Sequence, residues 1–221
     1  TVLTAEQNQL TGGNSSNIFE TLPERNIGNS GRLTYDFDNR YFLEFVYGYN
    51  GSEKFSGKYR FGFFPSIGTG WVVSNERFFE SIKDDIGLLK LKFTYGKVGN
   101  DAIASRSDRF WFLSDITAGS GGSYTWGNSL QTSYGGYNLN RIGNPDMTWE
   151  ISTKINLGFE LGLFKNEMLK LNVDFFKDTR DRIYSVRSNI PSTAGWSALP
   201  SGNTGQAKSQ GIDGSIDPSI P

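Results

Sequence analysis

The chain has 221 residues, with 22 Lys and Arg against 23 Asp and Glu for a formal charge of −1, 14% aromatic residues and 27 glycines. That balance leaves no electrostatic footprint for nucleic acid and no polybasic run for anionic headgroups, and so many aromatics argue against disorder. Cysteine and histidine are both absent, which removes disulfides, thiolate chemistry, imidazole bases and the commonest zinc ligands, so no cofactor is expected, and calcium held by loop Asn and Asp is the one metal option left beside the expectation of none.

The opening "TVLTAEQNQL" has no methionine, basic region or apolar stretch and does not read as a signal peptide. Alternation of period two then recurs along the chain, as in half-buried strands. "GRLTYDF" sets Leu33, Tyr35 and Phe37 against Arg32, Thr34 and Asp36. "RYFLEFVYGYN" sets Tyr41, Leu43, Phe45, Tyr47 and Tyr49 against Phe42, Glu44, Val46 and Gly48. "RFGFFPSIGTGWVVS" is a less regular run interrupted by Pro65, and "SNERFFESIKDDIG" predicts a short helix capped by Ser74 or Asn75. "LLKLKFTYG" sets Leu89, Leu91, Phe93 and Tyr95 against Lys90, Lys92 and Thr94. "KINLGFELGLF" sets Ile155, Leu157, Phe159, Leu161 and Leu163 against Lys154, Asn156 and Glu160. "MLKLNVDFFKD" adds Leu169, Leu171, Val173 and Phe175, and "KSQGIDGSID" is a weak last run.

The connections differ in length. "DFDNR" and "FKNEM" (Phe164 to Met168) are tight, whereas the stretches at about 99–147 and 185–207 are long and rich in Gly, Ser and Asn. Short connections therefore fall at one end of a meander and most long ones at the other. A structureless loop of that length argues against a compact soluble domain but is normal in an outer-membrane barrel. Alternation alone still fits a soluble antiparallel sheet, such as a carbohydrate-binding module. Aromatics near strand ends (Tyr35, Phe37, Tyr41, Tyr47, Tyr49, Trp71, Tyr95, Trp149) favour interfacial girdles.

The words "GRLTYDFDNRYFLEFVYGYNGSEKF", "RFGFFPSIGTGWVVSNERFF", "LKLKFTYGKVGND", "RIGNPDMTWEISTKINLGFELGLFKN", "VDFFKDTRDRIY" and "KSQGIDGSID" occur in that order. From about Gly28 to Asp217 the series resembles the C-terminal part of the barrel in SusC/RagA-type TonB-dependent outer-membrane transporters. The resemblance implies an all-β antiparallel meander of about seven strands, forming part of a large transmembrane β-barrel with long extracellular loops and short periplasmic turns. It divides the chain into an extracellular loop segment at 1–27, a partial barrel at 28–217 and a truncated end at 218–221. It implies Bacteroidetes-type outer-membrane localisation, contact with outer-membrane lipid, a SusD-like surface lipoprotein lid, coupling to TonB through an N-terminal part not present here, and import of oligosaccharides or peptides. Such a chain is a fragment, with two open edges that a bilayer does not tolerate; it is not expected to transport anything by itself. It is no enzyme.

On that reading the lipid-facing residues are Leu43, Phe45, Leu91, Phe93, Ile155, Leu157, Phe159, Leu171 and Val173. Lys90, Lys92, Lys154, Glu160, Lys170 and Asp174 face inward and form salt-bridged packing against a plug. Trp111, Tyr124, Trp126, Tyr134, Tyr137 and Trp196, set among Gly, Ser and Asn in the long loops, are the ligand-binding candidates, with loop or lid packing as the alternative. Asp84, Asp85, Asp178 and Asp181 are read as solvated charges rather than acid–base pairs, which need opposed environments at a defined separation.

Overall fold

A computed structural model describes residues 2–9, 22–103, 109–128, 132–164 and 168–218. The ten strands among the described residues are β1 (Val2–Gln9), β2 (Glu24–Phe37), β3 (Tyr41–Ser52), β4 (Phe61–Val72), β5 (Ile86–Asn100), β6 (Asp115–Trp126), β7 (Thr132–Arg141), β8 (Glu150–Leu163), β9 (Leu169–Val186) and β10 (Ser201–Pro218). Eight of them form one antiparallel sheet in the order β1-β2-β3-β4-β5-β8-β9-β10, and β6 and β7 form a separate two-stranded hairpin. The expected all-β meander is what forms, and β1 and β10 are its two edges.

The β2–β3 turn follows directly from its residues. Asp38 and Asn39 both have positive φ (54° and 50°), and the Arg40 N–H donates to the Phe37 carbonyl at 3.0 Å. Two successive positive φ values give a turn whose twist matches the flanking strands, and Asp and Asn tolerate them best after glycine. Pro65 lies inside β4 without breaking it. Pairing between β4 and β5 begins only at Ser66 opposite Gly96, so the missing N–H removes no bond from that ladder.

Four expectations change. Val2–Gln9, within the expected loop at 1–27, is a strand paired with Glu24–Gly31. It was missed because its residues, largely polar, offer no apolar alternation. The expected loop at 99–147 contains the β6–β7 hairpin, whose Gly, Ser and Thr content reads as loop in the sequence. The loop at 185–207 shrinks to 187–200, because β9 and β10 extend well past their apolar parts. The short helix after β4 is instead two 3-10 turns, Val73–Asn75 and Arg77–Ile82, with no side-chain cap at either N-terminus. Residues 10–21, 165–167 (most of the expected tight β8–β9 connection) and 219–221 (the expected truncated end) lie outside the described residues.

The connections at 38–40, 73–85 and 164–168 fall at one end of the sheet, here the turn end. Those at 10–23, 53–60, 101–149 and 187–200 fall at the other, here the loop end.

Candidate functional site

Register decides what each face carries. Tyr35, Leu43, Thr69, Phe93, Leu157, Phe175 and Ile212 are successive partners across seven strands. The neighbouring rows align Phe45, Ile67, Tyr95 and Ile155, then Trp71, Leu91, Phe159 and Val173, then Leu161 and Leu171. All nine residues read from the sequence as lipid-facing therefore share one face, because partners in an antiparallel ladder point the same way. Much of this face is bare: Leu43 and Phe175 are each 45% exposed and Leu157 is 54% exposed. A water-facing apolar surface of this extent marks a partner or a membrane.

The opposite face is polar. One row reads Thr34, Glu44, Gly68, Thr94, Asn156, Phe176 and Gly211, and the next reads Asp36, Phe42, Gly70, Lys92, Gly158, Asp174 and Asp213. The Lys92 ammonium lies 2.9 Å from Glu160 and 3.7 Å from Asp174, and donates to Asn172 at 3.2 Å. Arg32 pairs with Glu44 at 2.7 Å and Lys154 lies 4.0 Å from Asp178. The Lys90 ammonium lies 5.7 Å from the centre of the Phe42 ring. Between β2 and β8 this face bounds a trough of about 770 Å³ lined by Arg32, Glu44, Lys92 and Lys154 among others. The buried Oδ1 of Asn156 points into this polar face with no hydrogen-bond partner among the described residues.

At the turn end, the carboxylate of Glu76 accepts from the Tyr41 hydroxyl (2.6 Å), the Trp71 indole N–H (3.1 Å) and Arg40 (3.3 Å). The Tyr41 hydrogen bond, then that of Trp71, holds the Glu76 carboxyl below the usual carboxylate range. Tyr41 and Trp71 stack with centroids 6.4 Å apart, and Phe37 lies 6.4 Å from Tyr41, a girdle-like cluster at the strand ends.

At the loop end lies the best-packed core: Phe55, Phe64, Met147 and Trp149, with Tyr59, Ile103, Trp111 and Tyr184 against it. Trp149 is therefore no girdle residue. It is 7% exposed, sits 5.2 Å from Phe55 and 5.3 Å from Phe64, and donates its indole N–H to the Tyr59 carbonyl. Phe64 fits because Gly62 and Gly99 flank it; a Cβ at either would strike its ring. Arg109, 2% exposed, ties this region to the start of β2. It donates to the carbonyls of Leu22 (2.6 Å) and Pro23 (2.9 Å) and pairs with Glu53.

The six loop aromatics separate. Trp111 is packed, its ring 5.1 Å from Tyr184 and 5.0 Å from the Arg141 guanidinium. Tyr124 and Trp126 form an edge-to-face pair at 5.0 Å on β6, and Tyr134 stands directly opposite Tyr124 on β7. All three are more than 60% exposed. Tyr137, three residues beyond Tyr134, takes the other face of the hairpin, and Trp196 lies apart in the 187–200 loop, 55% exposed. Sequence reading passed over Arg109, Glu53, Phe55 and Met147, whose partners are tens of residues away.

A broad antiparallel sheet with one apolar face, one ion-paired face, short turns at one end and long loops at the other defines a membrane β-barrel wall. The family model described as "TonB dependent receptor-like, beta-barrel" matches residues 3–218, and the chain belongs to that family. Its place is the outer membrane. The chain is 29% identical to TonB-dependent receptor P26 of Formosa agariphila, over 95% of the chain and 21% of that protein. It is 30% identical to TonB-dependent receptor SusC of Bacteroides thetaiotaomicron, over 85% of the chain and 18% of that protein. It thus spans about a fifth of the length of these relatives. In fold it matches the RagAB peptide transporter, with a TM-score of 0.69 and 24% identity over 96% of the chain and 22% of the matched one. A more distant likeness is the siderophore receptor PirA from Pseudomonas aeruginosa, with a TM-score of 0.55 and 13% identity over 97% of the chain and 38% of the receptor.

Proposed function

We propose that these strands are a section of the wall of a TonB-driven transporter that imports oligosaccharides or peptides across the outer membrane, working with a SusD-like surface lipoprotein. The single observation that carries the reading is the phase of the sheet. Every residue of the row through Leu43, Phe93, Leu157 and Phe175 turns one way, and the Lys92, Glu160 and Asp174 network turns the other. The first face meets outer-membrane lipid and the second meets a plug supplied by the rest of the protein, which also carries the contact with TonB. The protein binds and moves its nutrient without chemistry on it. Tyr124, Trp126, Tyr134, Tyr137 and Trp196 contribute to nutrient or lid contact at the loop end, while Trp111 supports them from within the packed loops. A soluble carbohydrate-binding module would have to expose the whole apolar face to water.

The test is growth of the source bacterium with the full-length gene deleted, on a panel of oligosaccharides and oligopeptides as sole carbon source. Growth should fail on at least one of them and return with the intact gene. Complementation with Y124A/W126A/Y134A should restore less growth on that nutrient, with the protein still in the outer-membrane fraction. Undiminished growth on every nutrient, with the protein found in the aqueous fraction, contradicts the proposal.

A further inference from the structure

At the loop end of the outward face, a groove of about 370 Å³ joins apolar rings to unpaired positive charge. Ile27, Gly51 and Phe61 are register partners across β2, β3 and β4. A Cβ on Gly51 would come within 2.8 Å of Ile27 and 2.6 Å of Phe61, so both side chains lean over the same glycine. Tyr49 stacks on Phe61 at 5.4 Å, which continues the outward aromatic band up to the groove. Phe110 and Phe112 close the other side, their rings edge-to-face at 5.9 Å.

Phe110 has φ +58°, a left-handed backbone that a bulky side chain rarely adopts. Such strain persists only where the surroundings impose it. Here the neighbouring Arg109 is buried and bonded to the carbonyls of Leu22 and Pro23, and its guanidinium lies 4.9 Å from the Phe110 ring centre. The loop is thereby pinned with Phe110 turned to the groove.

Arg109 also neutralises Glu53, the one acidic residue of the groove lining among the described residues. Arg25 and Arg60, both exposed, remain in that lining without an ion-pair partner among the described residues. An apolar floor at the top of the outward band, with two guanidinium groups beside it, sits at headgroup level and suits an anionic amphiphile. Guanidinium forks match phosphate oxygens, and the aromatic rings match the first carbons of acyl chains.

We propose that this groove binds the phosphorylated headgroup of an outer-leaflet glycolipid, with Arg25 and Arg60 on phosphate and Ile27, Phe61, Phe110 and Phe112 against the acyl chains. The proposal rests on the outward assignment of the apolar face. The experiment is native mass spectrometry of the full-length protein in detergent, titrated with diphosphorylated lipid A. R25A/R60A should bind roughly 10- to 30-fold more weakly, given about a three- to fivefold contribution from each basic residue near an anionic membrane surface. Dephosphorylated lipid A should lose a similar factor on the unmodified protein. Equal lipid A affinity in the two proteins overturns the proposal, as does displacement of lipid A by inorganic phosphate at matching concentration. Heat-modifiable electrophoretic migration is recorded for both proteins. Its absence in the unmodified protein would sink the barrel-wall reading itself, whereas its presence with unchanged lipid affinity would sink the groove alone.

Discussion

Replacing Leu157 with arginine should destabilise the full-length protein in lipid vesicles by about 2–4 kcal/mol, while the same change at Asn156 costs much less. Leu157 is 54% exposed and lies between Phe93 and Phe175 in the middle of the apolar face. An arginine there meets acyl chains that solvate neither its charge nor its donors. Asn156 is one residue away but stands between Thr94 and Phe176 on the polar face, where the Lys154, Glu160 and Asp174 side chains also lie. Because side chains alternate, this one-residue step is a change of solvent. Denaturant titration of both variants folded into vesicles measures the contrast. Similar losses for the two positions would mean that neither face meets lipid.

The second large effect is expected at Arg109. Removing one partner of a buried ion pair leaves the other charge stranded, typically at about 3–5 kcal/mol. Glu53 keeps some solvent access, with 20% of its side chain exposed, so R109A should fall near the low end, at about 3 kcal/mol. The Leu22 and Pro23 carbonyls lose their donor as well. The loss is local, because Arg109 holds the loop around Phe110 to the start of β2 and takes no part in any strand ladder. Limited proteolysis should therefore cut residues 109–114 much faster in R109A, while the denaturant midpoint of the barrel stays nearly fixed. E53Q/R109M, which removes both charges, should recover part of the protection. Unaltered loop cleavage in R109A would show that the pair does not hold the loop.

How far the sequence exposes this structure depends on the range of the physical signal. Period two is local, so the runs around Leu33, Phe45, Phe93, Leu157 and Val173 announce strands and, once aligned, a common face. The β2–β3 turn is equally legible, since Asp38 and Asn39 are the residues that two successive positive φ values select. β1 was not legible, because "VLTAEQNQ" carries no apolar alternation to announce the strand that pairs with β2. The β6–β7 hairpin was hidden by composition and by the register shifts between Ala118 and Ser123, which break alternation where it would be sought. Trp149 misled for another reason. An aromatic at a strand end suits a girdle or a core equally well, and only its contacts with Phe55 and Phe64 decide. The same holds for Trp111 among the loop aromatics: the sequence groups it with Tyr124 and Trp126, but Tyr184 and Arg141 enclose it. The Arg109–Glu53 pair joins residues in different loops and leaves no sequence pattern at all.

The central claim is that alternate residues of these strands meet lipid and the polar interior of the barrel, and this chain brings no cysteine of its own to confuse the test. Single cysteines at 154, 155, 156 and 157 in a cysteine-free full-length protein, spin-labelled in vesicles, report it by electron paramagnetic resonance. Oxygen, which concentrates in the bilayer, should relax the labels at 155 and 157, whereas a water-soluble nickel complex should reach 154 and 156 more readily. Equal access of the nickel complex to all four sites, or the opposite phase, would contradict the account.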